Sequence, residues 1–155
     1  MSRSADIIFT TENDGIKVPG FRRRVITNWI REIADLKGKR LGEITYIFCD
    51  DRFIRRLNKK SLNHDYETDI LTFDNCVDDL LFADIVISID TVRSNAEIYG
   101  EPYFRELLRV MIHGVLHLCG YDDLTEEEQG AMRREEDAAL ALLPDEYEQI
   151  WTKQS

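Results

Sequence analysis

The sequence predicts an α+β protein, a mixed four-stranded sheet packed with helices, and three observations carry that prediction. Four short apolar or alternating runs read as strands, five longer stretches repeat apolar residues at helical spacing, and no Pro/Gly/Ser-rich linker divides them. "ADIIFTTE" is the first strand. "FRRRVITNWIREIADLKG" sets Phe21, Val25, Trp29, Ile30 and Ile33 at helical spacing and stops at Gly38. "GEITYIFCD" alternates and is rich in β-branched and aromatic residues, which makes it a strand. "DRFIRRLNKKSL" is helical through Phe53, Ile54 and Leu57, with Asp50 or Asp51 as N-cap. "TDILTF" and "ADIVISI" are short runs of buried-strand type. Helices follow at "DTVRSNAEIYG", at "YFRELLRVMIHGVLHLCG", and from Thr125 to about Leu143, where Pro144 ends the pattern. The order is β-α-β-α-β-β-α-α-α.

The chain has 155 residues, 43% of them hydrophobic, enough for one domain over residues 1–155 with one core. No run reaches the roughly 18 apolar residues of a membrane span, and the N-terminal apolar stretch is too short for a secretory signal. Cys49, Cys76 and Cys119 are odd in number and lack CxxC spacing, as expected of small buried hydrophobes in a reducing compartment. A soluble, cytoplasmic monomer is expected.

The net charge of −10 argues against a polyanionic partner. The average hides an asymmetry, because residues 1–60 carry 14 Lys and Arg against 8 Asp and Glu, and the rest carry 6 against 22. "TEEEQGAMRREEDAA" reads as a solvated acidic helix, while Arg55, Arg56, Lys59 and Lys60 in "DRFIRRLNKK" are candidates for a nucleic-acid-binding face.

In "YFRELLRVMIHGVLHLCG" the apolar residues cover most of the helix circumference, so the helix should run through the centre of the domain. Glu106, Arg109, His113 and His117 form a polar stripe at spacings of three and four. Such a stripe on a buried helix must face a cleft, a partner or a metal, because unpaired buried polar groups are costly. Histidines at i and i+4 point the same way and can reach one ion. Gly120 ends the helix in a left-handed turn, and Asp122 or Asp123 can then swing a carboxylate back toward the same ion. Three ligands leave a fourth position open, as in catalytic zinc sites. The competing reading is a pair of hydrogen-bonded core histidines with ordinary turn aspartates. Thr125 and Glu128 form a capping box, so the following helix needs neither aspartate as its cap.

"HGVLHLCGYDD", residues 113–123, resembles the signature of the YbeY family of bacterial metal-dependent endoribonucleases, His-Gly-x-Leu-His-Leu-x-Gly-Tyr-Asp-His, at ten of its eleven positions. "LNKKSLNHDYETDILTF" and "ADIVIS" are similar to two further stretches of that family. The resemblance implies a zincin-like α+β fold, a divalent metal, usually zinc, and hydrolysis of single-stranded ribosomal RNA in maturation and quality control of the ribosome. Carried over by position, the metal ligands are His113, His117 and Asp123. The family's third ligand is usually histidine. A carboxylate there lowers the formal charge at the ion and also suits other divalent transition metals such as non-haem iron. Where the family commonly has Tyr-Arg, this chain has Ser61-Leu62, and Lys59, Lys60 and His64 are the nearby groups that can contact phosphate.

His64 and Asp69 are candidates for catalysis, against a plain surface role for His64. Tyr66 reads as a base-stacking or a partly buried loop residue, and Asp69 and Asp84 read equally as carboxylates that orient a ligand imidazole from behind or as caps of strand ends. Two other functions compete. A metallopeptidase of similar spacing needs Glu directly after the first histidine, and this chain has Gly114. A ribosome-associated binding protein with a structural metal needs a fourth protein ligand.

Overall fold

Every strand of the sheet but one runs in the same direction. A computed structural model describes residues 6–62 and 68–152, with side chains for 6–60 and 68–152. The elements are β1 (Asp6–Thr11), α1 (Arg23–Leu36), β2 (Arg40–Cys49), α2 (Asp51–Leu62), β3 (Ile70–Asp74), β4 (Leu80–Ser88), α3 (Ile89–Tyr99), α4 (Tyr103–Leu118), α5 (Glu126–Leu140) and α6 (Tyr147–Ile150). The sheet order is β1-β2-β4-β3; β1, β2 and β4 are parallel, and β3 is an antiparallel edge strand. The mixed four-stranded sheet and the α+β class are as the sequence predicts.

Strand alternation sorts the core onto two faces. Ile44, Tyr46, Phe48, Ala83, Ile85 and Ile87 lie in the main core cluster with α1 and α4. On the other face Cys49, Leu71 and Val86 pack with Ile54 of α2. α4 lies close on the first face: a Cβ added at Gly114 would stand 3.0 Å from Ile85 Cδ1 and 3.1 Å from Ile70 Cδ1. Tyr46, fully buried, donates its hydroxyl proton to the Met111 carbonyl at 3.0 Å and ties the helix to the sheet. Trp29 of α1 donates its indole N–H to the Ala139 carbonyl at 2.8 Å, which holds α5 against α1.

Three boundaries differ from expectation. β2 starts at Arg40 and passes through Gly42, where the register shifts between Leu41 and Glu43; a Cβ at Gly42 would meet the Leu81 carbonyl at 2.8 Å. β4 starts at Leu80 because Val77 and Leu80 close a hairpin in which Asp78 takes φ +54. α5 ends at Leu140, and α6 was not expected.

Candidate metal centre

The polar stripe of α4 faces a cavity. Glu106, Arg109, His113 and His117 all line a space of about 480 Å³ between α4, the edge strand β3 and α5. Ile70 and Thr72 of β3, with Thr68 and Asp69 just before it, form one wall, Asn95 and Tyr99 of α3 and Arg133 and Glu136 of α5 the outer walls, and Asp123 lies on the loop between α4 and α5.

That loop is held from several sides. Gly120 takes φ +105, and the backbone N–H of Tyr121 donates to the Leu116 carbonyl at 3.1 Å, turning the chain back over the end of α4. His117 Nδ1–H donates to the Tyr121 carbonyl at 3.1 Å, Lys37 Nζ donates to Tyr121 Oη at 3.0 Å, and Gln129 Nε2 donates to the Asp123 carbonyl at 3.1 Å. The Thr125–Glu128 capping box starts α5 without help from either aspartate. Of the two, Asp123 lines the cavity and Asp122 is exposed outside it.

His113 is oriented through its other nitrogen. Its Nδ1–H donates to Glu136 Oε2 at 2.8 Å. Glu136 Oε1 in turn accepts from Arg109 at 3.0 Å, and Arg109 also donates to Asp137 at 2.7 Å. The Glu136 and Arg109 side chains are 7% and 9% exposed, so this is a desolvated pair in which each neutralises the other. Both histidines thus have Nδ1 occupied, which leaves Nε2 as the lone-pair donor of each neutral ring.

His113 Nε2 lies 3.3 Å from Asp123 Oδ2. Two ligands at ~2.0–2.1 Å from one tetrahedral ion stand about 3.3 Å apart, so this pair has the spacing of two corners of such a site. Among the described residues no three His, Cys, Asp or Glu side chains converge into one metal-holding group. His117 lines the same cavity and is exposed.

The electrostatics follow from the crowding of carboxylates. Burial opposes the His113 imidazolium, but the Glu136 hydrogen bond and the charges of Glu136, Asp123 and Asp69 outweigh it and raise its pKa above the ordinary value. Burial pushes the Asp69 carboxyl up, against the pull of His113. Burial likewise raises Glu106, against Arg109.

The remaining candidates are placed elsewhere. Asp69 lines the cavity, and its carbonyl accepts from Ser88 N–H at 3.0 Å. Asp84, which the sequence offers either as an imidazole-orienting carboxylate or as a strand-end cap, is neither: it is exposed in the middle of β4 and shares the sheet face of Val86, away from α4, a correction that strand alternation makes. Arg55, Arg56, Lys59 and Lys60 lie on α2, across the sheet from α4, and none of them lines the cavity. His64 and Tyr66 fall outside the described residues. A second cavity of about 610 Å³, beside Cys49, Tyr103 and Trp151, contains none of the candidates.

The sequence places Glu136 in a solvated acidic helix, and the structure corrects that: it is buried. A signal was available. Met132, Glu136 and Leu140 fall at i, i+4 and i+8 on the buried face of α5, so Glu136 is an acid on an apolar stripe.

Fold and cavity define an α+β protein whose chemistry-bearing groups gather between a central helix and an edge strand. Residues 9–144 match the profile of the family described as Endoribonuclease YbeY. A Phocaeicola vulgatus protein named Endoribonuclease YbeY is 51% identical over 132 residues, 85% of this chain and 96% of its own length. One of the same name from Bacteroides thetaiotaomicron is 50% identical over 133 residues, 86% of this chain and 97% of its own. A Thermotoga maritima protein solved in solution superposes with TM-score 0.57 at 26% identity, covering 86% of each chain. The chain belongs to the endoribonuclease YbeY family.

Proposed function

We propose that this chain is a divalent-metal-dependent endoribonuclease that cuts single-stranded RNA in ribosomal RNA maturation and ribosome quality control, acting in the cytoplasm as one zincin-like domain. Family membership and the names of the relatives support the reaction class. The observation that carries the site is the anchoring of both imidazoles by Nδ1, with His113 Nε2 facing Asp123 at 3.3 Å.

His113, His117 and Asp123 would hold the ion, zinc being the first choice for two imidazoles and a carboxylate. His117 and Asp123 lie on the same cavity as His113, which supports drawing the three into one ligand set. When bound, a divalent ion supplies Lewis-acid polarisation of a phosphodiester and a lowered pKa for water. The chain's own part is positional: Glu136 fixes the tautomer and direction of His113, and the Tyr121 carbonyl does the same for His117. Asp69 lines the same cavity and would be the carboxyl that exchanges a proton with a reacting water, burial holding its pKa above the ordinary carboxylate value. The peptidase alternative finds no support, since position 114 is a glycine packed against Ile85 and Ile70 of the sheet and offers no carboxylate.

Elemental analysis of the purified protein, paired with cleavage of a single-stranded ribosomal RNA fragment by wild type and His117→Ala, tests the reading. About one metal per chain and cleavage abolished by the substitution is the expected result. A full metal complement with no cleavage by either protein overturns the nuclease and favours a binding protein with a structural metal.

A further inference from the structure

The cavity is a poor host for a polyanion as far as its carboxylates go. Asp69, Glu106, Asp123 and Glu136 line it, and a phosphodiester entering it is repelled unless a cation faces it. Two arginines share the lining. Arg109 is buried, and its terminal nitrogens are committed to Glu136 and Asp137 at 3.0 and 2.7 Å. Arg133 is different. It is exposed on α5, and among the described residues neither a hydrogen bond nor an ion pair holds its guanidinium.

What holds Arg133 is an aromatic ring. Its guanidinium carbon lies 5.9 Å from the centroid of Tyr99, within cation–π reach. Tyr99 ends α3, is 58% exposed and lines the cavity, as does Asn95 one turn earlier. An exposed ring beside a planar cation, on the wall of a cavity that also holds two imidazoles, has the parts that single-stranded nucleic acid needs: a fork for phosphate oxygens and a platform for a base.

Resting on the ribonuclease reading, the geometry points to Arg133 and Tyr99 as the strand-binding rim of the cavity: Arg133 takes a phosphodiester of single-stranded RNA and Tyr99 stacks a neighbouring base. The rim compensates the carboxylates at the point where the strand passes them. It also moves RNA recognition from the α2 cations, which lie across the sheet, to the same side as the histidines. Asn95 presents an amide donor and acceptor to the base edge held on Tyr99.

Fluorescence anisotropy with a short labelled single-stranded RNA, over a salt series and in the His117→Ala background so that the strand stays intact, tests the rim. Both side chains are exposed, so their replacement leaves the fold in place. Arg133→Ala is expected to weaken binding about tenfold and to lower the slope of log K against log salt by about 0.7, one single-strand phosphate. Arg133→Lys should keep the slope. Tyr99→Ala should weaken binding about fivefold or more with the slope unchanged. Wild-type affinity and slope in Arg133→Ala overturn the rim while leaving cleavage by the wild type untouched. A wild type that binds RNA without cutting it overturns the nuclease reading, and the same binding series still decides the rim. A wild type that binds no single-stranded RNA overturns both.

Discussion

At the scale of single residues, Glu136 links the fold to the site. It is buried between Arg109 and His113 and is the partner of both. Removing it leaves the Arg109 charge in a desolvated place with Asp137, a side chain that is itself 59% exposed, as its remaining ion-pair partner among the described residues. Glu136→Ala should therefore cost about 3 kcal/mol of stability in urea unfolding. Because His113 loses its orienting acceptor, zinc affinity measured by competition titration should fall by about 10–100-fold. Glu136→Gln keeps an acceptor and should recover much of the affinity but little of the stability. The same carboxylate sets a pH dependence. Burial pulls the His113 pKa down, and the Glu136 bond with the surrounding carboxylates more than reverses this, so the folded pKa lies above the unfolded one. In metal-free protein this contribution is fully present below the unfolded imidazole pKa and is lost as pH rises through the raised folded pKa. Zinc must displace that proton, so its affinity should weaken by about tenfold per unit as pH falls below the raised pKa. Titration calorimetry in buffers of different ionisation enthalpy checks this through the proton released, and no proton release near neutral pH would contradict it.

At the scale of elements, the turn after α4 decides whether a carboxylate reaches the histidines. Gly120 at φ +105 is in a region that side chains rarely adopt, with no atom near enough to crowd a Cβ, so the penalty of a substitution there is conformational. Gly120→Ala should lower stability by about 1–2 kcal/mol. It should also weaken zinc binding by displacing Asp123, and a melting curve with a zinc titration reads both. This turn and the stripe it completes were legible in the sequence, because helical periodicity and a glycine stop are local signals. The nine main elements were legible for the same reason. What was not legible was set by tertiary contact. Gly42 looked like a strand start but is a bulge where the strand passes close to Leu81. The β3–β4 hairpin turns on Asp78 and Asp79, without the glycine or asparagine that usually marks such a turn. Glu136 was hidden in an acidic run because charge dominated the pattern, and only its spacing from Met132 and Leu140 gave it away. Asp84 reads from sequence either as a strand-end cap or as an imidazole-orienting carboxylate, and only the strand's true start at Leu80 makes it an outward-facing position inside β4.

At the scale of the whole molecule, the site and the tail are separate loads on one helix. The family match ends at residue 144, and beyond it α6 and Trp151 strap the N-terminal part of the chain. Arg22 N–H donates to the Ile150 carbonyl at 2.7 Å, and Thr152 N–H to the Gly20 carbonyl at 2.6 Å. Trp151 packs against Phe21 in a tilted pair at 4.4 Å between ring centroids and meets Phe104, at the start of α4, edge-on at 5.9 Å. Its indole N–H is buried without an acceptor among the described residues, so Trp151→Phe should cost much less than Trp151→Ala, for which about 3 kcal/mol is expected. Phe104 and His113 are nine residues apart on α4, about 13 Å along its axis. Perturbations separated by that distance, with no shared partner, add. Trp151→Ala should therefore lower the urea midpoint while leaving zinc affinity at the wild-type value, and the double variant with Glu136→Ala should lose the sum of the two single losses to within about 0.5 kcal/mol. A larger coupling would mean that α4 transmits strain from the aromatic strap to His113, and the metal centre would then depend on the tail as well as on Glu136 and the Gly120 turn.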